Sequence, residues 1–204
     1  YLIGFAAGML ESTATLSYGW GTGGWGVETW GTERSASAAV SDLSQWSFDL
    51  WGEDLVATVH NYATYVWAAS SRAALINVNY VSKSRFTQVS FPDRHLVSFG
   101  SYNTGTSAQD PMLVQWSDQE DYSTWAPATG NTAGSQRLQI GTKIMAAAPT
   151  REEIFIGTDE AIYGMQFVGP PFTFSFRLLG AGCGPISQRA MVSEGDVVYW
   201  MGRD

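Results

Sequence analysis

Residues 46–67 read WSFDLWGEDLVATVHNYATYVW, and residues 116–127 read WSDQEDYSTWAP. In the first stretch β-branched and aromatic residues run from Trp46, break at a polar turn around His60, Asn61 and Tyr62, and resume to close on Trp67. Short apolar runs of this kind, bounded by Gly52 and by the Ser70, Ser71 pair, predict strands. The second stretch follows an apolar run from Pro111 to Gln115 with a Trp-Ser-Asp turn and then a Trp-Ala-Pro turn. Both point to antiparallel sheet in a repetitive all-β scaffold.

Working outward, the same grammar recurs. Residues 94–99 (RHLVSF) pair in pattern with 111–116 (PMLVQW), and 153–157 (EIFIG) with 161–166 (AIYGMQ). Between the last two, Gly157 to Glu160 suits a hairpin turn, because Gly admits positive φ and Asp tolerates turn geometry. A fourth unit starts at Val192 to Asp196 before Val197 to Trp200. The units recur roughly every forty to sixty residues, within the range of periods that build propellers and solenoids. A blade cannot bury both faces alone, so radial stacking of β-propeller-like antiparallel blades is the expected architecture, with a β-sandwich as the alternative. Val56, Trp67, Leu96, Leu113, Trp116, Ile154, Ile162, Val198 and Trp200 are the expected core. Helix is scarce; residues 34–43 are the best candidate, and their serines weaken it.

Composition bounds the function. The 204 residues suffice for one large all-β domain or two small ones, and 45% hydrophobic content with 14% aromatics supplies a core. Nineteen acids against eleven bases give a net charge of -8, which argues against a surface that grips nucleic acid through its phosphates. A single cysteine, Cys183, makes no internal disulfide, and with no basic neighbour it reads as an inert thiol. There is no run of about eighteen apolar residues, so no membrane span is expected. The apolar start, Tyr1 to Leu10, lacks the basic segment of a signal peptide. The absence of an initial Met and a last strand, Val197 to Trp200, with nothing after it to pair against lead to the expectation that this is a fragment, incomplete at the C-terminus.

Residues 18–32 differ from the rest: Trp20, Trp25 and Trp30 fall at a five-residue interval, each beside glycine. Residues 1–33 are therefore read as a Gly/Trp-rich lead-in and loop, and 34–204 as the blades. The three tryptophans are the candidate interaction residues, since Trp is enriched at interface hot spots. Stacking on sugar rings is the competing role.

Four segments carry a family resemblance. WSFDLWGEDLVA (46–57), DPMLVQWSDQEDYSTW (110–125), GTDEAIYGMQFVGPPF (157–172) and VVYWMGRD (197–204) resemble, in order, blades of virion proteins of tailed bacteriophages. These are the tail hub and nozzle proteins that include the packaged-DNA stabilisation type. The resemblance spans about Tyr18 to Asp204, and its specificity rests on the order of the segments. It implies a virion location in the phage tail and a structural subunit of a homo-oligomeric ring below the portal, beside other tail and portal-proximal proteins. Double-stranded DNA would pass through without sequence-specific binding. A low basic content suits such a conduit, because many Lys or Arg side chains on its wall would hold phosphate.

Other classes are weighed against this. Asp118, Glu120 and Asp121 could be imagined as carboxylates for glycoside hydrolysis, but so close together on a turn Asp118 is expected to accept from nearby backbone amides and the other two to stay solvated. Glu53 with Asp54, and Glu152 with Glu153, read as edge-strand charge against aggregation. His60, His95 and Cys183 give no zinc spacing, and the acidic turns lack the full calcium-loop pattern, though a loosely held calcium on one stays open. No phosphate loop or nucleophile elbow is present. The expectation is no enzyme, no catalytic residue, no metal ligand and no cofactor. A receptor- or glycan-binding tail adhesin is the alternative function, and a polysaccharide-degrading enzyme the third.

Overall fold

The computed structural model describes residues 45–71, 76–77 and 83–202. Among these the chain is all-β, with no helix and with every sheet antiparallel. The tryptophans at 20, 25 and 30, the 33/34 boundary and the helix candidate at 34–43 lie outside the described residues.

The first sheet is a meander of β1 (Trp46–Trp51), β2 (Asp54–Val59), β3 (Thr64–Trp67) and β4 (Ile76–Asn77). What reads in sequence as one long strand before His60 is two strands, turned at Gly52 and Glu53, where Gly52 takes φ 66°. Such a left-handed first position of a two-residue hairpin is where glycine costs least.

The second sheet orders β5 (Phe86–Val89), β6 (Leu96–Phe99), β9 (Leu113–Trp116) and β10 (Gly134–Arg137), with a small hairpin, β7 (Tyr102–Asn103) and β8 (Ala108–Gln109), inserted between β6 and β9. The third is a meander of β11 (Ile144–Pro149), β12 (Glu153–Thr158), β13 (Ala161–Gly169) and β14 (Thr173–Ala181). A hairpin follows, β15 (Met191–Glu194) and β16 (Val197–Trp200). The last strand therefore has a partner, and it precedes it in the chain: the turn at Gly195, with φ 61°, folds it back on β15.

Successive sheets share cores. Trp51, Val56 and Val66 of the first sheet meet Leu96 of the second, with Trp125 from the loop after β9 filling the same layer. Val97, Phe99, Val114 and Trp116 of the second sheet meet Ile144, Ile154, Ile156 and Met165 of the third. Ala146, Ala148 and Ile162 of the third meet Met191 of the hairpin. The period-2 alternation explains how one strand serves two layers: Leu96 points to one core and its neighbour Val97 to the next. In β11 a register break between Ile144 and Ala146 changes that parity, so Ile144 faces the second sheet while Ala146 and Ala148 face the hairpin.

Most of the expected core is buried: Val56, Leu96, Leu113, Trp116, Ile154 and Ile162. Trp116 is the best supported. Its indole N–H donates to the Thr132 carbonyl at 2.8 Å, and its ring meets Phe174 edge-on at 5.2 Å. Gly134, its cross-strand partner, leaves the space the indole occupies, since a Cβ there would lie 2.6 Å from the ring.

Three expectations need correction. Trp67 is half-buried, because it lies opposite Leu55 and so on the face of the first sheet turned away from Val56. Val198 is half-buried and Trp200 is 40% exposed, because the hairpin has two strands and a neighbour on one side. The Trp200 indole instead donates to the Cys183 carbonyl at 2.7 Å.

Some sequence features have a different physical reason from the one expected. Gly157 is a strand residue without positive φ; a Cβ on it would meet the Pro185 ring at 2.5 Å, so close packing requires it. Gly164 is also mid-strand; a Cβ on it would lie 2.5 Å from the carboxylate of Glu153, which pairs with Arg177 at 2.7 Å. Asp54 and Glu153 do not guard an edge: β2 and β12 are interior strands, Asp54 accepts from the Ala69 amide at 3.0 Å, and Glu153 is held by Arg177.

Candidate functional site

The first strands of the sheets converge. β1 packs beside β5, and β11 beside β15. The Asp49 carboxylate ties the first pair, accepting from the Val89 amide at 2.7 Å and from the Leu50 amide at 2.8 Å. Burial raises its pKa above the usual carboxylate range, and those two amides pull in the opposite direction. Arg189, just before β15, donates to the Trp46 carbonyl at 3.3 Å.

Between these elements lies a groove of about 740 Å³, walled by β1, by β5 and the turn that follows it, by the end of β11 and by the segment before β15. Its apolar surface comes from Phe48, stacked on Trp46 with ring centroids 5.9 Å apart, and from Leu50 and Phe91. Phe48 is 56% exposed and Phe91 77%. Its polar surface includes Arg94 and Arg189 and the amides of Gln88 and Gln188, whose Oε1 atoms are buried without a hydrogen-bond partner. Asp49, already committed to two amides, is its single carboxylate.

None of these residues was a sequence candidate. A signal existed in β1, where Trp46, Phe48 and Leu50 share one wholly apolar face while Ser47, Asp49 and Trp51 share the other. An apolar face of this kind is expected to be covered, and the pattern does not say that it is left open.

The acidic loop sits elsewhere. Asp118 and Asp121 form an isolated bridge, and each carboxylate is taken up locally. Asp118 accepts from the Thr132 hydroxyl at 2.6 Å, the Thr132 amide at 2.8 Å and the Gln119 amide at 2.9 Å, which hold its pKa below the ordinary value. Asp121 accepts from the Ser123 and Thr124 hydroxyls and is lowered likewise. Glu120 is exposed and pairs with Arg94 at 3.3 Å. The expectation that Asp118 caps amides thus holds, while Asp121 is a turn cap and not a free solvated group.

Thr132 also joins the loop to His95. Its one hydroxyl proton goes to Asp118, so the 3.2 Å contact with His95 Nε2 requires the imidazole to donate. His95 is therefore the Nε2–H tautomer. Its Nδ1 is left without a partner, and Phe167 and Phe174 pack on the ring. Burial lowers its pKa from 6.5 to about 4, with the Asp118 charge opposing. A neutral, enclosed imidazole of this kind is a packing residue.

Among the described residues no group of three or more His, Cys, Asp or Glu side chains is placed to hold a metal ion, and no helix is long and apolar enough to cross a membrane. Cys183 is half-buried and free. No protein-family model matches the chain, and no curated protein is similar to it in sequence.

Proposed function

We propose that this chain is a structural subunit of a tailed-phage virion, a hub or nozzle component that forms part of the DNA conduit below the portal and acts by assembly. Its sheets are read as blades of a β-propeller. The observation that carries this is the stack itself: successive antiparallel sheets pack face to face, and their first strands converge on one groove. A β-sandwich would put two sheets around one core. Here the second and third sheets each feed two cores.

The resemblance to phage tail proteins supports the same reading, because its four segments fall one to each sheet and to the final hairpin. The charge balance fits a conduit. Of the ion pairs among the described residues, Arg94–Glu120, Arg137–Asp110 and Arg177–Glu153 each commit a guanidinium to a carboxylate, which leaves those cations less available to phosphate.

The reading is tested by labelling tailed particles that carry this protein with an antibody against the chain. Label at the portal-proximal end of the tail is the expected result. Label confined to distal fibre tips would move the protein to the receptor- or glycan-binding adhesins, and particles without label on the tail would refute the virion role.

A further inference from the structure

We propose that the groove between the first strands is a binding site for an acidic saccharide. Its volume, about 740 Å³, lies in the range of small-ligand sites, roughly 300–1,000 Å³. Three features of the lining converge on this ligand chemistry. Phe48 and Phe91 present exposed ring surface, the kind of platform on which the apolar face of a pyranose packs. The half-buried side chains of Gln88 and Gln188 put carboxamides into the wall, a group that hydrogen-bonds sugar hydroxyls. Arg189 brings a guanidinium group, which favours a carboxylate on the sugar, whereas Arg94 is paired with Glu120.

The single lining carboxylate, Asp49, accepts from the Val89 and Leu50 amides, and glycoside hydrolysis uses a pair of carboxyl groups, so the role proposed for the groove is binding. A nucleic-acid strand also offers stacking faces and anionic groups, but the net charge of -8 opposes a polyanion, whereas an oligosaccharide with a few carboxylates meets far less repulsion. This inference does not depend on the ring reading, because the groove lies within one chain.

The test is isothermal titration calorimetry of the full chain with trigalacturonic acid, alongside neutral galactotriose and a short oligo(dT). Phe91→Ala and Arg189→Gln change exposed side chains, and their melting curves verify that the fold is kept. Saturable binding of trigalacturonate is expected, with galactotriose and each variant weaker by about tenfold. Absence of saturable trigalacturonate binding, equal binding by both variants and wild type, or tighter binding of oligo(dT) would each overturn the proposal.

Discussion

His95 shows how one buried side chain sets a pH dependence. Its folded-state pKa of about 4 lies below the ordinary 6.5, so between these values the unfolded chain binds a proton that the folded chain refuses. Stability is fully present above about pH 6.5 and falls as the pH drops toward about 4, by roughly 2–3 kcal/mol. Asp118, Asp121 and Asp159, all held below the usual carboxylate range, add a further loss at lower pH still, while Asp49, raised by burial, works the other way. Denaturant melts of wild type at pH 7 and pH 5 should show the first loss, and His95→Leu should flatten it; an unchanged slope in the variant would assign the effect to other groups. Trp116 is the complementary case, with no charge to titrate. Trp116→Ala removes an indole packed against Phe174 and Phe176 and one of the two hydrogen bonds accepted by the Thr132 carbonyl, which keeps the Thr173 hydroxyl, for an expected cost of about 3–5 kcal/mol. An unchanged melting temperature would contradict the packing described.

At the scale of elements, three glycines make a graded prediction. A Cβ on Gly164 meets the end of the flexible Glu153 side chain, which can swing away at the cost of an exposed ion pair worth about 0–1 kcal/mol. On Gly157 it meets the rigid ring of Pro185, and overpacking of that kind costs about 1–3 kcal/mol. On Gly184 it meets the backbone of Thr158, Asp159 and Glu160, which cannot yield without disturbing the β12–β13 turn. The melting temperatures of the alanine variants should therefore fall in the order Gly164→Ala least, then Gly157→Ala, then Gly184→Ala. The reverse order would mean that the strand packing is misdescribed. These glycines also show what a sequence withholds. Alternation in Asp54 to Val59, Thr64 to Trp67 and Leu113 to Trp116 is local, and those strands and their pairings were legible. The polar β10 and the two-residue strands β4, β7 and β8 carry too little pattern to be seen. Gly157 reads as part of a turn because the partner that requires it, Pro185, is distant in the chain.

For the whole molecule, the arrangement that matters is between sheets. Alternation identifies a strand's two faces, but which sheet covers each face depends on side chains such as Leu96, Trp125 and Ala148 meeting across long separations. The candidate groove was invisible for the same reason, since it is assembled from β1, β5, β11 and the approach to β15. Stacking leaves the hairpin with Val192, Val197 and Tyr199 exposed. A ring subunit has apolar surface of this kind to cover when it assembles. The most direct measurement is negative-stain imaging of the purified full-length protein, with class averages sorted by rotational symmetry. Closed rings with a central hole wide enough for duplex DNA are the predicted result, and monomers or slender trimers would contradict the account.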